Sequence, residues 1–432
     1  MESITTTKGS TLRPMSPTDR PSLSTANDSS GGRILFVTSV FVPDPASVGQ
    51  HFSDAAIEAV HRGFRPIVIT SRRGYDDPGA RYPWTEVWQG IRIVRLPFSS
   101  FGKGSMLARM LAGTLFTFQA IWVAMMVPRL KRCIVSTVPP QSPVVALALR
   151  FIRRVPFTYW VMDLNPDLAV ELGAVSPNHL LVRLLSSLQR LTLRHADRVI
   201  ALDRFMSTRL ERYCRTANVA VLPPWPHDDK VEPIARSNNE FRVAHDLGER
   251  LVVMYSGNHG LHNPLGDVLD AARRLVTDPR IMFVFVGGGV GKGQIDKALD
   301  SESLPNVLSL PYQPLERLKY SLGAGDIHVV TMEPSVVGIS HPCKVYGAMA
   351  AGRPVLFLGP RESHVADILA AAEVGWHFDH GDCDGLVALL QRLANEGHEA
   401  TDLRGKLAGA VAARQFSRRT LLKRFGDLSF GA

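Results

Sequence analysis

Residues 333–358 read Glu333-Pro-Ser-Val-Val-Gly338-Ile339-Ser340-His-Pro342-Cys-Lys344-Val-Tyr346-Gly347-Ala348-Met-Ala-Ala351-Gly352-Arg-Pro-Val355-Leu-Phe-Leu358. Four parts follow one another. A loop carries Glu333 and Gly338, and Ser340 with Pro342 marks a helix start. A short helix of small residues runs from Ala348 to Ala351, and Gly352 ends it. Val355–Leu358 is a buried strand by its length and apolar content. A loop that brings backbone N–H groups and a helix N-terminus to one point is a place to hold a phosphate, which predicts a nucleotide-type ligand.

The same alternation extends outward. Arg33–Ser39 reads as a buried strand, and a loop with Pro43, Pro45 and Gly49 follows. Phe52, Ala55, Ala56, Ala59 and Val60 recur at helical spacing, Gly63 closes that helix, and Pro66–Thr70 is the next strand. This is the opening of a doubly wound α/β sheet. Further strands are predicted at Ile91–Leu96, Cys133–Thr137, Phe157–Met162, Arg198–Leu202 and Val219–Leu222. Pro223-Pro-Trp225-Pro226 breaks the pattern, and the charged Asp228–Glu240 stretch reads as a linker. A second series then begins: Leu251–Ser256, Ile281–Val286, Val307–Leu310, Ile327–Val330, Val355–Leu358 and Gly375–Phe378. The expected organisation is a disordered Ser/Thr/Pro-rich tail at 1–32, one domain at 33–227, a second at 228–412, and a terminal helix at 413–432. Two such sheets put their ligand at the carboxyl ends of the strands, in the cleft between domains.

Bulk composition agrees with this division. A chain of 432 residues, 45% hydrophobic and 21% charged, is too long for one ordinary core. A net charge of +9 favours anionic partners, although solubility alone explains it equally well. Cys133, Cys214, Cys343 and Cys383 are far apart, which argues against a disulfide framework or a zinc site and suits a reducing cytoplasm. The first 32 residues lack the apolar run of a secretory signal. Met110–Val127 carries no charge, and Arg129, Lys131 and Arg132 follow it. It just reaches spanning length, but it precedes a strand in the middle of an α/β domain. A buried or interface-dipping helix is therefore expected, with peripheral membrane contact as a hypothesis.

Candidate site residues cluster at strand ends. Gly287, Gly288 and Gly289 end a strand, with Lys292 just beyond, and are read as N–H groups and a cation for a phosphate; a simple turn gives the same pattern. Gly49, in the first β-α loop, would admit a sugar or phosphate closely, or simply start a helix. Asn258 and His259 follow the first strand of the second series. Asp163 follows Phe157–Met162 and is read as a carboxylate able to orient an acceptor hydroxyl or act as a base. Asp382-Cys383-Asp384 superficially resembles a metal clamp, but N-capping of the following helix explains it, so no metal is assigned. H-E-x-x-H, P-loop, G-x-S-x-G and G-x-G-x-x-G patterns are missing where those hydrolase, NTPase or dehydrogenase classes need them.

Gly338–Leu358, together with Val161–Asp167, Ala196–Leu202, Val221–Trp225 and Pro311–Pro314, resembles the family 4 glycosyltransferases, and most of all their bacterial surface-polysaccharide branch of colanic-acid and O-antigen type. The resemblance covers roughly residues 33–425. It implies the GT-B fold: two Rossmann-like domains facing across a cleft, the donor held mainly by the second, and a C-terminal helix, here Arg414–Asp427, crossing back onto the first. It also implies retaining transfer of a sugar from a nucleotide-diphosphate sugar, without a cofactor or metal. The acceptor would be a saccharide, expected as a polyprenyl-diphosphate-linked one, and no nucleic acid is involved. The enzyme would work in the cytoplasm, at most peripherally at the inner face of the membrane. Lys292, the backbone at Gly338, Ile339 and Ser340, and Lys344 are then candidates for holding the leaving diphosphate, with Glu333 nearby. Many members carry two glutamates separated by seven residues here. Alignment on Met349–Gly352 puts Ile339 and Gly347 at those positions, so carboxylate recognition of the donor ribose is not implied. A nucleotide-sugar 2-epimerase or hydrolase of the same fold, and a non-catalytic partner subunit, are the competing expectations.

Overall fold

A computed structural model describes residues 31–44, 46–74, 79–99, 106–215, 217–226 and 234–431. The tail expected at 1–32 lies outside these residues apart from Gly31 and Gly32, as does the first part of the expected linker. Eight strands build the first sheet: β1 (Arg33–Val37), β2 (Arg65–Ser71), β3 (Thr85–Trp88), β4 (Ile91–Leu96), β5 (Leu130–Ser136), β6 (Phe157–Trp160), β7 (Arg198–Ala201) and β8 (Val219–Val221). Their order is β3-β4-β2-β1-β5-β6-β7-β8, and every pairing is parallel except β3 with β4. The second sheet holds β9 (Leu251–Ser256), β10 (Ile281–Val286), β11 (Val307–Leu310), β12 (Ile327–Thr331), β13 (Val355–Leu358) and β14 (Gly375–Phe378) in the order β11-β10-β9-β12-β13-β14, all parallel. Central strands such as β10 are buried on both faces, which is why they read as unbroken apolar runs. Strand order reverses between β1 and β5 and between β9 and β12, so the two crevices that accept ligands face each other.

Three features depart from the sequence expectations. The edge strand β3 was not anticipated. It forms a hairpin with β4 through Gln89 and Gly90, both at positive φ, and its exposed alternation gives only a weak apolar signal. The 333–358 helix runs over Lys344–Ala350, with Cys343 and not Ser340 at its N-cap. The last helix spans Arg418–Phe430 and not Arg414–Asp427, because Ser417 is extended and its side chain accepts from the Thr420 N–H.

That last helix packs on the first domain. Arg62 donates to Asp427 at 2.8 Å, Arg418 pairs with Asp54, and Phe430 meets Phe36 edge-on at 6.3 Å. Phe52, Trp160, Trp225 and Phe425 form one aromatic cluster beneath it, in which Trp225 donates to Asp54 at 2.8 Å. The segment leaving the first sheet is clamped by this cluster. The apolar run forms a helix, Met106–Met126, laid along the first domain. Ala112, Phe116, Ala120 and Ala124 face inward and are buried, and Arg153 donates to the carbonyls of Ala124, Met125 and Val127 at its end. Leu111, Phe118, Trp122 and Met126 face outward and are exposed.

Candidate active site

Loops at the carboxyl ends of both sheets enclose a cavity of about 740 Å³, within the range of about 300–1,000 Å³ usual for ligand pockets. The first domain supplies Ala46, Ser47 and Gln50 after β1, and Trp225 and Pro226 after β8. The second supplies Ser256–Asn258, His262 and Asn263 after β9, Gly289 after β10, Tyr312–Pro314 after β11, and Met332, Val336 and Ser340–Lys344 after β12. Leu318, Ser321, Leu322 and Gly347 complete the wall from two short helices.

Electrostatically the wall is one-sided. Among the described lining residues there is one lysine, Lys344, with no arginine and no carboxylate. Burial brings the Lys344 ammonium down to about 8. Its Nζ lies 5.0 Å from the centroid of the Tyr255 ring, and no described carboxylate is within ion-pair reach. A desolvated cation without a counter-ion is a site for an anion. His262 is brought down to about 4 by burial and then by the Lys344 charge, so it is neutral at pH 7.

Lys344 gives a pH test with a definite sign. Its charged form is present below about pH 8 and lost above. An anion bound at Nζ raises that value, so binding should take up a proton near pH 8, and affinity should fall by up to about tenfold per pH unit above it. Titration calorimetry of a nucleoside diphosphate in two buffers of different ionisation enthalpy reads the uptake. Equal apparent enthalpies across pH 7–9 would remove Lys344 from the contact.

Of the residues singled out from sequence, Asn258, Gly289, Ser340, Lys344 and Gly347 line the cavity, and the rest do not. Gly49 lies in the first turn of the Ser47–His61 helix and not in a loop; a Cβ there would come 3.1 Å from the Phe41 backbone, so close packing of helix on chain requires the glycine. The Gly287 N–H is used by the Leu310 carbonyl at 3.0 Å. The Gly288 carbonyl accepts the His259 N–H at 2.8 Å. Lys292 Nζ donates to the carbonyls of Gly287 and Leu310, at 3.0 and 2.7 Å, which ties two strand ends together instead of presenting a cation. His259 is fully buried against Tyr255, brought down to about 4 by burial, and is not part of the wall.

The loop at Glu333–Ser340 also departs from expectation. A 3-10 turn at Pro334–Val336 lets the Val336 carbonyl take the N–H groups of both Ile339 and Ser340, so they do not form an open phosphate cradle. Glu333 donates its N–H to the His262 carbonyl. Gly338, at φ +70°, rests against Phe205 of the first domain, whose carbonyl oxygen a Cβ would approach to 2.6 Å. Arg209 donates to the Val337 carbonyl at 2.9 Å, and the Leu164 N–H to the Ile339 carbonyl at 2.9 Å. This loop is the seam between the domains. Asp163 sits half-buried on the same seam; burial raises its pKa, while a hydrogen bond from Ser340 and the charge of His341 oppose the rise. Gly347 does reach the cavity, where a Cβ would have only Leu322 at 3.6 Å. His262, Tyr312, Ser321 and His341 were missed from sequence. Tyr312 lies in the Pro311–Pro314 motif and His341 in the 333–358 stretch, but neither has a signal of its own there; His262 and Ser321 carry no local signal.

Comparison with known proteins agrees with this architecture. Residues 48–225 match the Glycosyl transferase 4-like domain, and residues 237–407 match Glycosyl transferases group 1. WbjE of Pseudomonas aeruginosa, named as a glycosyltransferase, is 24% identical over 238 residues, 54% of this chain and 59% of that protein. WcaI of Escherichia coli, named for colanic acid biosynthesis, is 27% identical over 197 residues, 44% of this chain and 48% of that protein. The matched stretches thus span about half the length of these relatives. Among solved structures, a sucrose-phosphate synthase from Thermosynechococcus elongatus has a TM-score of 0.74 at 17% identity, covering 92% of this chain and 98% of the other. HepE from Anabaena, in complex with UDP-glucose, has a TM-score of 0.64 at 15% identity, covering 91% and 98%. Two consecutive family matches, lying on two α/β sheets that face across a cleft, make this chain a member of the family 4-like glycosyltransferases of GT-B fold, related to the bacterial surface-polysaccharide members.

Proposed function

We propose that the chain is a retaining glycosyltransferase that moves a sugar from a nucleotide-diphosphate sugar to a saccharide acceptor in surface-polysaccharide assembly. One observation carries this: the interdomain cavity has a single unpaired lysine and no carboxylate on its described wall. The donor diphosphate pairs with Lys344. As the glycosidic bond breaks, negative charge grows on the leaving diphosphate, and a fixed buried cation is worth most at that moment. Tyr312, Leu318 and Leu322 offer apolar surface for the base. Asp163, linked to Ser340 at the seam, is the candidate for orienting the acceptor hydroxyl. HepE is described with UDP-glucose, which makes uridine diphosphate sugars the first donors to try. A panel of nucleotide sugars with saccharide acceptors tests the proposal, with anomeric configuration of the product read by NMR. Retained configuration is expected. Free sugar or epimer formed without acceptor selects the hydrolase or epimerase, and nucleotide binding without turnover selects a partner subunit.

The acceptor is proposed to be polyprenyl-diphosphate-linked, reached from the cytoplasmic face of the membrane. Leu111, Phe118, Trp122 and Met126 repeat on one helical face and form an exposed apolar stripe, about 22 Å long at about 1.5 Å per residue. Phe118 and Trp122 also wall an apolar groove with Trp84, Val94 and Leu96. With a net charge of +9, such a stripe suits an anionic bilayer surface. The variant Phe118→Ser/Trp122→Ser is expected to lose most binding to phosphatidylglycerol vesicles in a sedimentation assay, while turnover of a water-soluble acceptor stays within about twofold. Unchanged sedimentation would sink the membrane contact.

A further inference from the structure

A buried chain of polar groups crosses the seam between the domains. Asp203, at the end of β7, caps the Arg204–Glu211 helix: its Oδ1 accepts the Met206 N–H at 2.7 Å. Its Oδ2 lies 2.7 Å from Nδ1 of His341 in the second domain. His341 Nε2 is 2.8 Å from the Tyr346 hydroxyl, which is 2.7 Å from Nε2 of His364. Asp203 and His341 are 2% and 7% exposed, so water does not replace either partner while the domains stay closed.

One proton of this chain can be placed. Burial alone would raise the Asp203 pKa, but the hydrogen bond and charge of His341 and the Met206 N–H outweigh it, and the carboxylate is ionised. It then only accepts, so His341 Nδ1 carries a proton. Either form of His341 completes the chain: Nε2 accepts the Tyr346 O–H while the Tyr346 oxygen accepts the His364 Nε2–H, or Nε2–H donates to the Tyr346 oxygen and the Tyr346 O–H donates to His364 Nε2. Every group is satisfied, and only Asp203 comes from the first domain. His341 stands between Ser340 and Lys344 on the cavity wall, so whatever holds its ring also holds that wall.

We propose that Asp203 and His341, backed by Tyr346 and His364, form an interdomain latch that keeps the domains closed over the cavity and positions Lys344 for the donor diphosphate. The part concerning the donor rests on the nucleotide-sugar function proposed above; the part concerning closure does not. The four are positioning residues. Separating the domains breaks the Asp203–His341 bond and exposes both groups, so closure and cavity geometry rise and fall together.

Asp203→Ser tests this while sparing the helix, because serine is also a good N-cap. The closed fraction should fall, and a donor that binds only the closed form loses affinity in proportion. The expected results are a larger radius of gyration of the ligand-free protein by X-ray scattering, and about a tenfold rise in both the UDP Kd and the donor KM, with kcat within about twofold. Asp203→Asn should restore most of the affinity: its oxygen keeps the cap, its amide donates to His341 Nδ1, and the chain runs with its protons reversed. Tyr346→Phe, which leaves Asp203–His341 in place but frees the ring, should shift the same quantities less, and it serves if Asp203→Ser does not fold. Unchanged radius, Kd and KM in a folded Asp203→Ser overturn the latch, as does a lowered melting temperature with those values unmoved. If UDP, ADP and GDP all fail to bind the wild type, the donor reading fails, and scattering alone still decides closure.

Discussion

Lys344→Met is expected to lower donor turnover by about 10²–10³-fold while leaving the protein as stable as the wild type or more so. The catalytic half follows from geometry: Lys344 is the one cation on the described cavity wall, and no other described side chain can take over its charge. Removing a donor aimed at developing negative charge costs about that much in comparable sites. The stability half follows from desolvation. The ammonium is buried without a carboxylate, which brings it down to about 8, so its presence costs folding free energy that an apolar side chain of similar length does not. Steady-state kinetics with the preferred donor and a thermal melt check both halves on one sample. Loss of stability together with activity would mean that Lys344 is a structural group and that the anion lies elsewhere.

Gly287→Ala should destabilise the second domain by on the order of 3 kcal/mol or more. Gly287 has φ +132°, a conformation L residues rarely adopt, and an added Cβ would lie 2.0 Å from the Gly257 carbonyl oxygen. Backbone meets backbone here, so no rotamer change relieves the contact. The turn after β10 and the turn after β9 must separate, which displaces Asn258 on the cavity wall and strains the Lys292 bonds to Gly287 and Leu310. A fall in melting temperature of roughly 6–12 °C is expected for a domain of this size. A shift below about 2 °C would show that the two turns are not held together as tightly as their approach implies. Lys292→Met, which unties the same strand ends without a clash, should give a smaller fall in the same direction, of about 1–2 kcal/mol.

Much of the architecture was readable because it rests on local pattern. β9, β10, β11, β13 and β14 have the limits expected from their apolar runs, and Asp382 caps the helix after β14 as its spacing suggests. β3 escaped because an edge strand alternates weakly and its hairpin turn is Gln-Gly, not one of the stronger Asn-Gly or Asp-Gly pairs. The site was readable only to the level of strand ends. Gly287, Lys292 and Ile339 do follow strands, but their polar groups are already used by other parts of the chain, and Gly338 packs on Phe205.

By itself, the sequence of this protein determined two parallel α/β sheets, the cleft between them and the 333–358 segment as part of its wall, because apolar periodicity and Gly/Pro punctuation act within a few residues. Tertiary structure alone decided which groups remain free to meet a ligand. The Ile339 carbonyl takes the Leu164 N–H, Lys292 is held by Leu310, and His341 is held by Asp203, which lies 138 residues earlier. Lys344 is left on the wall with its charge desolvated and unpaired. Hydrogen-bonding capacity is finite, and what remains for a ligand is whatever distant parts of the chain have not already taken.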